Sequence, residues 1–530
     1  MTKIEKRALS MDDLKKAVAL LILFLGLGGS LSLFGSIGEM ATPERPNVVV
    51  IHVDDLGWRD LGCMKSPVYE TPNIDRLAES GILFTSAYSA SAICTPSRAC
   101  LLTGSQPTRH GIYTVNKNRG KKEEWKVLPV KNRPYLKKDY PTLGHLLTDS
   151  GIANAAIGKW HVFPSLPSHG FQKGELGGYL GLPINYFSPF KLGFLPKDVP
   201  DGTYLPELIR KAGVRFMENH KNERFFLYYS TYLPHDEIRN KESEADGEGM
   251  FRLSAPEKVV MKYRKKIDAL RKSGSDLEGH TNPVYAAMIE ETDRSVGAVI
   301  HAIDRLKLKK KTLILFISDN GGLVKYTAQE PLRGEKTSLY EGGIRVPMIA
   351  SMPGRITDGV VSGEPVSGLD FFPTICRVMG LKVEDEAKVD GNDLSDLFFK
   401  LKSMEERNLF WTFPNYVKTG EVDKSPRSVI RRGNWKLHHL YENNTYELYN
   451  LREDLGESRD LVKIFPKEFE RMRKELERCY TRFGAARSLR KNPDYNEGLL
   501  SELRSKTEKV VSGTISTADF FKKVGLALQP

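Results

Sequence analysis

The sequence predicts an α/β protein: a large mixed, mostly parallel sheet sandwiched by helices, with a smaller antiparallel-sheet subdomain at the C-terminal end. Three observations predict it. Two apolar, β-branched runs, NVVVIHV at 47–53 and TLILFIS at 312–318, have the unbroken hydrophobicity of strands covered on both faces. Between them, helix-like segments stopped by glycine alternate with strand-like runs, the pattern of a layered α/β domain. From about residue 405 the texture changes to short strands, SVIRRGNWKLHHLY and TYELYNL, which suit a small antiparallel sheet.

Taken in order, residues 17–38 carry no charge and follow Lys15 and Lys16, the layout of an export signal. The run is also long enough to serve as an uncleaved membrane anchor, although glycine and serine dilute its second half, so 1–40 reads as a leader of either kind. The main α/β domain is expected over 45–400. Its first strand, 47–53, ends in Asp54-Asp55. TPNIDRLAESG at 71–81 and YPTLGHLLTDSG at 140–151 predict short helices leading into strands ILFTSAYS and IANAAIG. In SAICTPSRACLLTG, Thr95-Pro96 reads as a helix N-cap followed by its first residue, with Gly104 as the stop, which sets Cys94 just ahead of a helix N-terminus. Residues 236–282 are dense in charge and read as a solvated, partly helical insertion. The segment 282–308 has apolar residues at helical spacing and leads into the strand 312–318, which ends in Asp319-Asn320. The smaller sheet is expected over 405–496 and a helical tail over 497–530.

A chain of 530 residues with 40% hydrophobic and 28% charged residues is neither fibrous nor wholly disordered. The net charge of +12 would attract polyanions, but charge alone gives no support for a nucleic-acid partner. Five cysteines, Cys63, Cys94, Cys100, Cys376 and Cys479, make no disulfide scaffold, and the odd count leaves one over for other work or all five as inert thiols. Asp54, Asp55, Asp319 and Asn320 supply hard oxygen ligands from two strand ends, suited to calcium or magnesium, though each pair singly is also a common turn sequence.

CTPSRACLLTG resembles the signature of the type I sulfatases, members of the alkaline phosphatase superfamily, in which a C-x-P-x-R cysteine becomes Cα-formylglycine. Further matches follow in family order over roughly 46–462: PNVVVIHVDDLGW, TPNIDRLAESGILFTSAYS, TGSQPTRHGIY, GKWH, LPH, ISDNGG, RGEKTSLYEGGIRVPMIASMPG, GNWKLHHLY and YELYNLREDLGESRDL. The resemblance implies a sulfuric ester hydrolase, with a sulfated carbohydrate as the first-choice substrate. It implies that Cys94 becomes the aldehyde, whose hydrate attacks sulfur with one hydroxyl and expels sulfate through the other. It implies that Asp54, Asp55, Asp319 and Asn320, with residue 94, hold one Ca2+ (Mg2+ possible). Arg98 would brace that group, Lys159 and His161 would contact the hydrate and sulfate with His161 as base, and His235 and Lys336 would complete the sulfate contacts. Cys100 is expected in the core, Arg333 as either a further contact or an ion pair, and His110, His145 and His169 as structural. A separate formylglycine-generating enzyme is implied as a partner, and export as the location, with membrane anchoring as the alternative. Two rival readings stand: a formylglycine-dependent phosphonate or phosphate monoester hydrolase, and a non-catalytic binder of sulfated glycans.

Overall fold

The computed structural model describes residues 45–115, 122–138, 140–162, 169–238, 251–383, 389–417 and 422–498. The leader and most of the predicted tail lie outside the described residues. No described helix is long and apolar enough to cross a membrane.

Eight strands form the main sheet: β1 (Asn47–Val53), β2 (Ile82–Phe84), β3 (Ala153–Gly158), β4 (Lys173–Glu175), β5 (Phe225–Ser230), β6 (Thr312–Ser318), β7 (Met348–Ser351) and β8 (Val360–Ser362). Their order is β8-β2-β7-β6-β1-β5-β3-β4, and β7 alone runs against the rest. The mixed, mostly parallel sheet expected from the sequence is therefore present.

β1 lies at the centre, fully buried along its length. Because successive side chains point to opposite faces, Val49, Ile51 and Val53 join one core cluster while Val48 and Val50 join the other. Each such valine or isoleucine contributes roughly 1.5–3 kcal/mol by leaving water. The first face is covered by α1 (Pro72–Glu79), α4 (Leu205–Asn219), α5 (Glu257–Lys272) and α6 (Pro283–Arg305). The second is covered by α2 (Cys94–Thr103), α3 (Leu143–Asp149) and α7 (Phe371–Met379).

Two sequence expectations change here. The charged stretch 236–282 is more than a solvated excursion, because α5 buries Val259, Val260, Tyr263 and Ile267 against α6, an i, i+1, i+4, i+8 stripe masked by the charge around it. The second change is at α2, which starts at Cys94 with Ile93 as its N-cap rather than at Thr95. Proline is tolerated within the first turn, whose amide hydrogens have no partner inside the helix.

The smaller sheet is antiparallel: β9 (Asn408–Phe413), β10 (Arg427–Arg432), β11 (Trp435–Leu440) and β12 (Thr445–Asn450). One face is packed by α8 (Pro466–Phe483), which buries Met472, Leu476, Cys479, Tyr480 and Phe483 and which the sequence reading had not separated from the strands before it. The sheets are joined by buried charge. Lys436 on β11 sits 2.8 Å from Glu341 and 3.0 Å from Glu457, all three out of contact with water. Burial, opposed by Lys436, pushes Glu457 up to about 7, whereas in Glu341 burial is outweighed by Lys436 and Arg345 and its pKa falls to about 2. Removing the shared cation leaves Glu341 with Arg345 and Tyr88 and Glu457 with His438, two carboxylates against one buried cation, so Lys436→Met should cost about 3–5 kcal/mol in denaturant unfolding. A loss below 1 kcal/mol would show that the pair reprotonates without strain.

Candidate active site

β1 and β6 are adjacent and parallel with Val53 opposite Ser318, so Asp54 and Asp319 leave the same edge of the sheet side by side. The Asp319 amide donates to the Val53 carbonyl at 3.0 Å. Asp55 has φ of 60°, a left-handed conformation that aspartate tolerates, and its carboxylate accepts from Asn320 Nδ2 and Lys336 Nζ, each at 2.7 Å. On the other side of β1, strands β5 and β3 pair Ser230 with Gly158, and the next residue, Lys159, places Nζ 2.5 Å from Asp54 Oδ2. Ligand chemistry at the carboxyl ends of parallel strands is where such sheets place it.

α2 points its first turn into this edge. Cys94 is buried with Sγ 3.8 Å from Asp54 Oδ1. Four residues on, on the same helix face, Arg98 donates Nε to Asp319 Oδ2 at 2.9 Å, holds Nη2 2.8 Å from the same oxygen as an ion pair, and donates Nη1 to Ser230 Oγ at 2.5 Å and the Lys159 carbonyl at 3.3 Å. Burial is outweighed by Arg98 and Lys159 at Asp319, whose pKa lies well below the usual carboxylate range. Asp54 behaves oppositely, because burial, opposed by Lys159, pushes it up to about 6.

His161 follows Lys159 by two residues and also takes a left-handed backbone, φ 55°. Its amide donates to the Gly178 carbonyl at 3.1 Å, its Nε2 lies 3.2 Å from Thr95 Oγ1, and its buried Nδ1 has no protein partner. Burial first, then Lys159 and Arg98, holds it well below the usual histidine range, so it is neutral. Gly181 lies against the imidazole, since a Cβ there would stand 2.1 Å from Cε1. Thr95 and Gly181 thus position His161. Thr95 occupies a variable place in the cysteine motif and nothing in the sequence around Gly181 signals a contact, so neither was foreseen.

His235 reaches the same edge after β5. Its Nδ1 lies 2.9 Å from the Asp236 carbonyl, and its Nε2 lies 3.0 Å from Lys336 Nζ and 3.5 Å from Asp55 Oδ2. Burial disfavours its charge, but Asp55, Asp54 and Asp236 together outweigh burial and raise its pKa. The Nζ–Nε2 contact is one hydrogen bond whose donor depends on which ring nitrogen of His235 carries a proton.

All ten residues singled out in the sequence therefore meet: Cys94, Arg98, Lys159, His161, His235, Lys336, Asp54, Asp55, Asp319 and Asn320. Those set aside fall elsewhere. Cys100 is a buried thiol 3.4 Å from His110, His145 closes a capping box with Thr142, the His169 carbonyl accepts from Thr142, and Arg333 pairs with Asp423 at 2.7 Å. All five cysteines are free thiols.

Ligand atoms of Asp54, Asp55, Cys94 and His235 lie within 4.8 Å of one another, and Asn320 Oδ1 is buried with no partner. An orphaned amide oxygen among carboxylates fits an oxygen-seeking divalent cation. His235 stands at the edge of this group, with its Nε2 engaged by Lys336.

The family profile described as Sulfatase matches residues 46–381, and that described as N-sulphoglucosamine sulphohydrolase, C-terminal, matches 334–483. N-acetylgalactosamine-6-sulfatase of Mus musculus is 30% identical over 80% of this chain and 78% of its own. A sulfatase of Formosa agariphila is 29% identical over 84% of this chain and 90% of its own. Among solved structures, Ps i-CgsB in complex with k-i-k-neocarrahexaose is 26% identical, covers 87% of this chain and 98% of its own, and has a TM-score of 0.66.

If Asn320 Oδ1 awaits a cation, calcium or magnesium should raise the melting temperature, by about 2.7 kcal/mol of stability at a hundredfold excess over Kd. Asn320→Ala should weaken that shift in calorimetry, and an equal shift in both proteins would remove Asn320 from the ligand set.

Proposed function

The chain belongs to the formylglycine-dependent sulfatase family of the alkaline phosphatase superfamily and is a sulfuric ester hydrolase; from that premise we propose that it removes sulfate from a sulfated carbohydrate through a formylglycine made from Cys94. The observation that carries this is the placement of Cys94 in the first turn of a buried helix, against Asp54 and within the Asp55, Asp319 and Asn320 cluster. The carbohydrate substrate is supported by the N-acetylgalactosamine-6-sulfatase relatives and by the oligosaccharide complex of the structural neighbour.

When hydrated, the aldehyde at position 94 supplies one hydroxyl to attack sulfur and a second whose deprotonation expels sulfate. Asp54, Asp55, Asp319 and Asn320, with residue 94, would hold a divalent cation, Ca2+ or Mg2+, that lowers the hydroxyl pKa and neutralises sulfate charge. Arg98 keeps Asp319 ionised and oriented. Lys159 and Lys336, now paired with Asp54 and Asp55, are placed to donate charge-assisted hydrogen bonds to sulfate oxygens, helped by the helix N-terminus. Neutral His161, with Nδ1 unpartnered, takes the proton from the eliminating hydroxyl. Either His235 or Lys336, 3.0 Å apart, supplies the proton to the departing alcohol oxygen. This chemistry requires a maturation enzyme that oxidises Cys94 beforehand, and the uncharged run 17–38 after Lys15 and Lys16 supports export, with membrane anchoring as the alternative.

Co-expressed with a maturation enzyme and supplied with calcium, the protein should release sulfate from sulfated glycans in ion chromatography, and Cys94→Ala should release none while remaining folded. Phosphate or phosphonate ester cleavage without sulfate release would overturn the reading in favour of the rival hydrolase. Gly181→Ala should lower kcat about 100-fold by displacing the imidazole, with unchanged melting. Full activity in that variant would show that His161 is not held by Gly181.

A further inference from the structure

Away from the cysteine, a cavity of about 880 Å³ opens between the loop after β4, residues 193–196 and α4, within the size range of small-ligand sites. Its apolar lining is Leu176, Tyr179, Phe194 and Leu208, with Glu175 and Arg215 at the rim. Tyr179 is 60% exposed, and its ring meets Phe194 edge-on with centroids 6.1 Å apart. An aromatic face left in water beside a polar rim suits a ligand with one apolar face and a ring of hydroxyls.

The cations that line the cavity are paired: Arg215 is 2.6 Å from Glu175, and Lys211 is 2.7 Å from Glu207 one turn earlier on α4, outside the lining. Such pairs offer both donors and acceptors to hydroxyl groups, but no net charge for an anion.

The cavity shares a wall with the active site. Phe194 presses on Gly178, where a Cβ would stand 2.5 Å from Cδ1, and the Gly178 carbonyl accepts from the His161 amide. One residue therefore separates the aromatic pair from the backbone of the base.

We propose that this cavity is a saccharide subsite, in which Tyr179 stacks on an unsulfated ring of the substrate chain next to the ring whose sulfate lies at Cys94. The inference rests on the sulfated-carbohydrate reading above and adds to it a requirement for chain length. It also assigns Tyr179 as the specificity determinant.

The test uses carrageenan and chondroitin 6-sulfate hexasaccharides as probes. Their binding to Cys94→Ala, which cannot turn over, is measured by calorimetry with and without Tyr179→Ala or Gly193→Leu. A Cβ on Gly193 meets no atom within 4 Å, so the leucine has room to fill the cavity mouth. Expected is a Kd about tenfold weaker in both variants for at least one probe, equivalent to ~1.4 kcal/mol. On the matured protein, with formylglycine at position 94, the ratio of kcat/KM for that hexasaccharide to kcat/KM for 4-nitrophenyl sulfate should fall by a similar factor in both variants. Unchanged Kd and an unchanged ratio across the panel overturn the subsite. Tyr179-dependent binding without sulfate release from any ester would instead overturn the sulfatase reading and leave the subsite standing.

Discussion

Three carboxylates, Asp54, Asp55 and Asp319, are held out of water at one sheet edge, and their burial is the constraint on which the rest of the site depends. Each would cost several kcal/mol if left uncompensated. Arg98, Lys159 and Lys336 answer them one for one. Arg98 does most of the structural part, because its guanidinium touches the ends of β6, β5 and β3 at once through Asp319, Ser230 and the Lys159 carbonyl. One helical turn earlier, Cys94 has its position fixed by the same clamp. Strand register, helix docking and the reactive residue are thus settled by one set of charges.

The second sheet takes part in this arrangement although none of its residues enters the site. The segment carrying Lys336 is tied to it on both sides. Before Lys336, Arg333 pairs with Asp423, donates to Tyr449 and the Glu457 carbonyl, and lies 3.9 Å from the ring centre of Tyr340. After it, Glu341 receives Lys436 from β11, and Tyr88, bonded to Glu341, also receives Arg431 from β10. The left-handed Thr337 beside Lys336, φ 77°, is thereby bracketed by fixed points. Arg333 is therefore a tie between sheets, the second of the two readings its sequence left open.

The parts of the fold that follow from local pattern were legible in the sequence. β1 and β6 declared themselves as unbroken apolar runs, and their terminal acids followed directly. Helices α1, α3 and α6 lie inside the predicted spans because a cap or a glycine stop marks them. What could not be read depends on tertiary contact. The stripe of α5 is diluted by lysines and arginines on its solvent side, and the start of α2 moves because the Thr95 hydroxyl faces His161 instead of capping the helix. Within the site, side chains with their own chemistry were found from the motifs. Gly181 was not, because its contribution is the absence of a Cβ beside an imidazole that lies 20 residues earlier in the chain.

That contrast bears on where selectivity resides. Most of the charged groups around Cys94 sit at the ends of β1, β3, β5 and β6 or in the first turns of α2, where strand register leaves them little freedom, and Lys336 is held by the ties of its segment to the second sheet. The loop after β4 has no such restraint. Between Glu175 and Gly181 it is held by backbone contacts, the Gly178 carbonyl to His161 and the Leu176 carbonyl to the Tyr232 hydroxyl at 3.5 Å, and by Leu176 and Leu180 against the core, which leaves Tyr179 as the exposed side chain. Tyr179 can change without disturbing a strand, whereas Gly178 and Gly181 cannot, because both are pressed against rings. A loop fixed through its backbone and exposed at Tyr179 can change that side chain while His161 stays in place.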